Sequence, residues 1–350
     1  VAADGVRVAV DGVERRARAV VLATGSSPAL PPLPGLERVD PLDSTSAMAL
    51  AELPASLLVL GGGAVGLELG QLFARLGTRV TVLEVLPRIL AGEEPAVSEA
   101  LRGFLEEEGV RIHTGVRVLA AERDRKDVVL RAHANGAAAE FRAERLLVAA
   151  GRRGNTHGLG LEEAGVETDA RGFVRVDAAL RTTNPAVYAA GDVTGAPAFV
   201  YVAAAAGRLA AENALTGAGR ALELRAVPRV TFTSPQVGAV GATEEEAARD
   251  GRAVDVAHLE LRHVPRAIVS RDPRGFVKLV AEPGGGRVLG VHAVGPHAGE
   301  LMGAATLAVR FGLTVRDLIE TLCPYLTWVE ALRLAAQATT LDVRRLSCCA

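Results

Sequence analysis

Cysteine is scarce: the 350 residues hold three, Cys323, Cys348 and Cys349. Three thiols, two of them adjacent, cannot build the disulfide framework of a small secreted domain, and their spacing fits none of the separated pairs that hold a tetrahedral zinc. A reducing, cytoplasmic setting is therefore expected. An excess of one charge sign is also missing. With 39 Lys+Arg against 41 Asp+Glu the formal net charge is −2, so there is no global basic field to hold nucleic acid or an anionic membrane. Long apolar runs are absent too: Val200 to Ala206 stops at Gly207-Arg208, far short of the ~20 residues a membrane helix needs. The opening Val1-Ala2-Ala3-Asp4-Gly5 has neither an initiator Met nor a signal pattern and runs straight into alternating strand, so the chain is expected to begin inside a domain.

The sequence is rich in apolar residues, 49% against 23% charged, over a length that suits two or three domains. Val6 to Val10, the turn Asp11-Gly12 and Val13 to Arg18 read as a hairpin, and Ala19 to Ala23 as a buried strand. The Pro-rich stretch Pro28 to Pro34 suggests a crossover between domains. Leu57 to Leu60, a helical pattern over Gly66 to Leu76 and Arg79 to Glu84 make a βαβ unit. Further elements are a helix over Glu93 to Glu108, strands at Val110 to His113, Val116 to Ala120, Leu146 to Ala150 and Val187 to Ala190, and an Ala-rich helix over Val200 to Leu215. From about Arg225 the character changes to long strands, Val227 to Phe232, Val254 to Leu261, Phe276 to Ala281 and Val288 to Ala293, followed by helices: a separate α+β domain.

The sharpest motif is Gly61-Gly62-Gly63-Ala64-Val65-Gly66, a G-x-G-x-x-G between a strand and a helix. Gly61 permits the turn, Gly63 admits a pyrophosphate to the backbone N–H groups at the helix start, and Gly66 lets helix and strand pack closely. Glu84, closing the next strand, is placed to accept from a ribose 2′-hydroxyl and to repel a 2′-phosphate. Arg88 lies near enough to offer a phosphate a partner, which leaves NADH and NADPH both open. The seven histidines show no pairing at metal or triad spacing.

Three strand ends, Ala23-Thr24-Gly25, Ala149-Ala150-Gly151-Arg152 and Val187 to Gly191-Asp192, together resemble the FAD-dependent pyridine nucleotide–disulfide oxidoreductases. The resemblance implies an α/β protein of Rossmann-type FAD- and NAD(P)-binding domains with a C-terminal α+β dimerisation domain. Residues 1–40 would be the remainder of the FAD domain, 41–151 the NAD(P) domain inserted in it, 152–224 the FAD return segment and 225–350 the interface domain. By the same resemblance FAD is contacted through Gly25, Gly151, Gly191 and Asp192, with Val200 beside the ring, while Val118 also belongs to the cofactor-binding set. Glu68 matches the position facing the flavin edge. A turn-capping role for Asp192 and a plain helix acid at Glu68 are the alternatives.

Within that family, Phe199 to Gly207 and Pro324-Tyr325-Leu326-Thr327 through Glu330 to Cys348-Cys349-Ala350 resemble the mercuric reductases. Lipoamide dehydrogenases carry a His-Pro-Thr segment with a Glu behind it. Here Tyr325 takes the place of that His while Glu330 is kept, which removes a base titrating near neutral pH. The resemblance implies that Cys348 and Cys349 of one subunit of a homodimer carry Hg(II), as suits soft thiolates, to a dithiol beside the other subunit's flavin, with Tyr325 lining the transfer site. The flavin-proximal dithiol and the first FAD glycine loop would lie upstream of Val1, and the fragment alone is expected to be inactive. Where the subfamily tends to carry a second tyrosine, before Ser44-Thr45, this chain has Leu42-Asp43. Cys323 reads as a buried apolar residue or a member of the metal path. The alternatives are a lipoamide dehydrogenase-like disulfide reductase and a non-catalytic nucleotide or thiol-metal binding protein.

Overall fold

A computed structural model describes residues 6–342. The described residues divide into two compact units, one of residues 6–29 and 151–224, the other of 30–150 and 225–342.

In the first unit, Val20–Leu22 and Val187–Ala189 pair in parallel. Ser26–Pro28 then pairs antiparallel with Arg152–Gly154. The hairpin Val6–Val10/Val13–Ala17 turns on Asp11 and Gly12, at φ 51° and 76°, the left-handed pair that a tight two-residue turn needs. The helix Val200–Thr216 begins at an extended Phe199 and ends on left-handed Gly217. Its inner face, Val202, Ala206, Leu209, Ala210 and Asn213, is buried.

The second unit holds a parallel sheet in the order Arg145–Val148, Ser56–Leu60, Arg79–Leu83, Arg111–His113. The crossovers are the helices Ala64–Arg75 and Pro95–Glu107, the latter opened by a proline in its first turn, where no N–H is missed. Leu57, Val59, Leu67, Phe73, Val80, Val82, Val97 and Leu101 fill the space between sheet and helices. After this sheet's last strand the chain makes a three-stranded meander, Val116–Asp124, Asp127–Ala134 and Ala137–Ala143. Sequence reading supplied its first strand only, although Asn135-Gly136 is a hairpin signal and both residues are left-handed. The Ala-rich stretch 137–139 hides the alternation.

Residues 229–295 form an antiparallel sheet in the order Arg229–Thr231, Gln236–Gly241, Val288–Gly295, Phe276–Ala281, Asp255–Glu260. The strand Gln236–Gly241 was not expected, because Gly238 and Gly241 break its apolar pattern. The structure accounts for Gly238: a Cβ there would lie 2.5 Å from the carbonyl oxygen of Ala298, where the helix Ala298–Phe311 crosses the sheet.

Buried charge ties this sheet to the parallel one. Glu94, 1% exposed, receives Lys278 Nζ at 2.7 Å and the Glu244 N–H at 2.5 Å. Lys278 also reaches Glu244 at 2.6 Å. Burial alone would lower the Lys278 pKa, but its bonds to Glu244 and Glu94 outweigh burial and hold it above the ordinary lysine value. Opposite Lys278 in register is His292. Burial drives its pKa down, so the ring stays neutral and donates from Nε2 to the Ala242 carbonyl at 3.0 Å.

Candidate functional site

The loop after Ser56–Leu60 has the geometry the glycine motif requires. Gly61 sits at φ 114°, and a Cβ on it would meet the Ala149 carbonyl oxygen at 2.4 Å. Gly66 is in the first turn of the helix, where a Cβ would lie 2.1 Å from the Gly61 carbonyl oxygen. Gly62 is hemmed in by Ile89 and Glu84. Gly63, which caps the helix, is different: a Cβ there meets nothing within 4 Å. The fold has no packing reason for glycine at that position, and the open space lies at the helix start, where backbone N–H groups and the dipole favour an anion. The residues therefore fit a dinucleotide pyrophosphate. Ala64 and Val65 continue into the helix, with Val65 exposed.

Glu84 closes the loop from below. It is 8% exposed, and its carboxylate accepts from Gly62 N–H at 2.6 Å and Leu86 N–H at 2.8 Å. The acid that sequence reading assigned to a ribose also shapes the glycine loop, a role that spacing does not reveal.

In the first unit, the parallel pair brings Gly25 and Gly191, φ 73° and 75°, to the same carboxyl end. Ser26 Oγ donates to Asp192 Oδ2 at 3.1 Å, and Arg152 holds Ser26 through its hydroxyl and carbonyl, both at 2.7 Å. Asn155 stitches the neighbouring turn, donating to the Thr24 carbonyl at 3.0 Å and accepting from Ser27 Oγ at 2.8 Å. Ser26, Arg152 and Asn155 were not singled out from sequence; the run Gly151-Arg152-Arg153-Gly154-Asn155 after a strand end was the available signal. Gly151 lies at φ 130°, a conformation that L side chains rarely adopt. Three glycine turns leave backbone free for close approach beside an acid, which fits the ribityl and phosphate groups of a flavin nucleotide. Val200, 86% exposed, opens the following helix.

Glu68 and Val118 belong to the second unit. Glu68 accepts from Phe232 N–H at 2.7 Å, and burial raises its pKa. Val118 is half-buried in the meander, paired with Ala132 beside a register shift.

Tyr325 is half-exposed on the turn between the helices Val315–Glu320 and Glu330–Gln337. Leu326 follows it at φ 60°, and the Leu326 backbone donates to Glu330. Glu330 is 7% exposed, and its Oε2 has no hydrogen-bond partner among the described residues. Burial pushes its carboxyl up, against the pull of Leu326 and Arg333. Burial and then the Glu330 charge raise the Cys323 thiol, so Cys323 remains protonated at neutral pH. Cys348 and Cys349 lie outside the described residues.

A raised carboxyl pKa means that ionisation opposes folding, with no penalty below the ordinary value of about 4.3 and the full penalty above the folded one. Glu330→Gln keeps an acceptor for Leu326 and removes the charge. Its melting temperature is expected to equal or exceed that of the parent at pH 7, with the advantage shrinking as pH falls towards about 4. A variant clearly less stable at pH 7 would contradict this account, and thermal melts across the pH range decide it.

Among the described residues no helix is long and apolar enough to cross a membrane, and no cluster of three or more His, Cys, Asp or Glu could hold a metal ion. Glycine turns at the carboxyl ends of parallel strands, one closed by a buried acid, define a dinucleotide-binding α/β protein. Residues 3–207 match the family model of pyridine nucleotide-disulphide oxidoreductases, and residues 227–336 match that family's dimerisation domain. The chain belongs to this family, whose members use FAD and a pyridine nucleotide. It is 51% identical to a mercuric reductase of Streptomyces lividans over 94% of this chain and 69% of that protein. To a mercuric reductase of Bacillus cereus it is 46% identical, over 98% of this chain and 54% of that one. Among solved structures it resembles the HOCl-induced flavoprotein disulfide reductase RclA of Escherichia coli, with a TM-score of 0.86 and 30% identity over 95% of this chain and 76% of that one. The chain thus spans about half to two thirds of the length of the curated relatives it matches.

Proposed function

We infer that this chain is the greater part of a homodimeric, cytoplasmic flavoenzyme that reduces Hg(II) to Hg(0) at the expense of NADH or NADPH. The observation that carries the reading is the 51% identity to a mercuric reductase over nearly the whole chain. The overall reaction balances as NAD(P)H plus Hg(II) giving NAD(P)⁺, a proton and Hg(0).

Gly61, Gly62, Gly63, Ala64, Val65 and Gly66 would receive the coenzyme pyrophosphate, and Glu84 its adenine-side ribose. Gly25, Gly151, Gly191 and Asp192 would line the flavin nucleotide, with Ser26 and Arg152 fixing the Asp192 carboxylate. Val200 begins a helix whose N-terminal dipole favours negative charge nearby. Bound FAD would supply a two-electron acceptor for the coenzyme hydride and pass those electrons to a dithiol.

Glu330 holds the backbone of the turn that presents Tyr325, where a phenol takes the place of a histidine, the side chain that would titrate near neutral pH. That suits a site handling a metal ion better than one relaying protons between thiols. Cys348 and Cys349 are adjacent soft ligands for Hg(II), which exchanges between thiolates without a change in oxidation state.

The test is anaerobic oxidation of NADH and NADPH by the full-length, FAD-loaded protein with Hg(II) under excess competing thiol, for the parent and the Cys348→Ser, Cys349→Ser double variant. Hg(II)-dependent oxidation that collapses in the double variant supports both the reductase and the carrier. Oxidation driven by lipoamide or another disulfide, with none by Hg(II), would replace the mercury reading with a disulfide reductase.

A further inference from the structure

We propose that Gln71 is a positioning residue for hydride transfer from the coenzyme: by gripping Ser234 at both its N–H and its carbonyl, it keeps the Phe232 N–H on the Glu68 carboxylate and so fixes that acid on the coenzyme helix. The inference rests on the dinucleotide reading above and on the place the family resemblance gives Glu68, and it deepens them to what holds Glu68 in position.

Glu68 and Gln71 stand about one turn apart on one face of the helix Ala64–Arg75, the element that opens at the glycine loop. Five residues past Gly63, Glu68 lies about 7.5 Å along the helix axis, within the span of a dinucleotide held at the helix start. Facing the two side chains is the turn 232–235, between the strands Arg229–Thr231 and Gln236–Gly241. Its backbone bonds outward to the helix. Phe232 N–H donates to Glu68 Oε1 at 2.7 Å and Ser234 N–H to Gln71 Oε1 at 2.8 Å, while Gln71 Nε2 returns a bond to the Ser234 carbonyl at 2.8 Å. A buried side-chain amide that both donates to and accepts from one residue does what a partner strand does for a hydrogen-bonded pair.

The amide has one possible orientation, because Nε2 also donates to Glu108 Oε2 at 3.0 Å and only the NH2 end can do so. Glu108 is anchored in turn by Arg75, through bonds of 2.8 and 2.6 Å. Little else secures Phe232: its ring is exposed, and Thr233 Oγ1 bonds within the turn, to the Pro235 carbonyl at 2.8 Å. Burial raises the Glu68 carboxyl and the Phe232 N–H opposes it. On the strands packed against the helix, Ser56–Leu60 carries no charge, Arg79 is exposed and Arg229 engages Glu93; on the helix itself Arg75 is paired with Glu108. The group that favours the Glu68 charge is therefore the one N–H that Gln71 keeps in place.

The experiment uses the full-length, FAD-loaded protein without mercury. Gln71→Met keeps the volume and removes both bonds to Ser234. Backbone hydrogen exchange, read by mass spectrometry on the peptide spanning 230–236, is expected to speed about tenfold in this variant. Stopped-flow reduction of the flavin by NADH or NADPH is expected to slow about tenfold, with the calorimetric Kd of the oxidised coenzyme within about twofold of the parent. The acid limb of that reduction rate is expected to move up by about one pH unit, since Glu68 loses a bond that favours its charged form. Glu68→Gln, which keeps an acceptor for Phe232, is expected to abolish the limb and to slow reduction at least as much. Adding Gln71→Met to it should cost no more than about twofold further, because both act on one step. Arg75→Ala, at an exposed position, loosens the same clamp and should move exchange and limb in the same direction by less, which keeps the test open if Gln71→Met is too unstable to purify.

Unaltered exchange in Gln71→Met, or faster exchange with the parent's rate and acid limb, would overturn the proposal. A Glu68→Gln variant that is reduced like the parent would overturn it together with the place given to Glu68. Failure of both nucleotides to bind the parent would remove the dinucleotide reading as well. Because Hg(II) enters none of these readouts, the mercury reading stands or falls separately.

Discussion

Gly66→Ala is expected to lower coenzyme affinity at least tenfold and to destabilise the second unit by about 1–3 kcal/mol. A Cβ at Gly66 would sit 2.1 Å from the Gly61 carbonyl oxygen and 3.2 Å from Val59 Cγ1, and the first of these neighbours is backbone that cannot swing aside. The helix Ala64–Arg75 must then lift off its strand, spoiling the cradle and the core beneath it. Gly63→Ala provides the contrast. With nothing within 4 Å of the added carbon and φ at −82°, the poorer N-cap of alanine is offset by the unfolded-state entropy that replacing glycine removes, so the melting temperature should move little. Coenzyme affinity should nonetheless fall, because the added methyl occupies the approach to the helix start. Thermal melts and nucleotide titrations of both variants separate the two effects. If Gly63→Ala bound coenzyme like the parent, the open space at Gly63 would not be the pyrophosphate's.

Lys278→Ala should be the most damaging single change to stability, about 3–5 kcal/mol, because it leaves Glu94 buried without its partner and Glu244 short of a cation. Adding Glu94→Gln should recover part of that loss, since the uncompensated charge and not the missing methylenes accounts for most of it. The pH dependence follows from the raised lysine value. The contribution of Lys278 is fully present below the ordinary lysine pKa of about 10.4 and is lost as pH rises through the higher folded value. The deficit of Lys278→Ala measured by denaturant unfolding should therefore be flat across neutral and mildly alkaline pH. A deficit below about 1 kcal/mol would show that the triad contributes no more than a surface pair.

The βαβ unit was legible from Leu57 to Glu84 because every level agrees there: a short apolar run, glycines at fixed offsets, a helical period and an acid closing the next strand. The helix Val200–Thr216 and the strand Phe276–Ala281 were equally plain, one from its Ala-rich run and the other from its apolar run of Phe276, Val277, Leu279 and Val280. The meander strand Ala137–Ala143 was hidden because alanine alternates with alanine, and Gln236–Gly241 because Gly238 makes room for a helix that crosses from sixty residues further on and Gly241 for the Leu289 carbonyl of the neighbouring strand. At the candidate site, glycines and strand-end acids could be read, since their spacing is local. Ser26 beneath Asp192 and Lys278 on Glu94 join residues 166 and 184 positions apart, and no local pattern announces a pairing that only the fold creates.

The parallel pair of Val20–Leu22 with Val187–Ala189 has a consequence for how the chain is made. The two strands are separated by the whole of residues 30–150, which belong to the other unit, so during synthesis the earlier strand waits until its partner leaves the ribosome. At about 5–20 residues per second, that wait is on the order of ten to thirty seconds. Through this interval the side of Val20 to Leu22 that Val187–Ala189 will cover stays open, the kind of apolar edge that seeks a strand from another chain. Low growth temperature or abundant holdase chaperones should therefore raise the yield of this protein more than they would for one whose strands pair in the order of their synthesis.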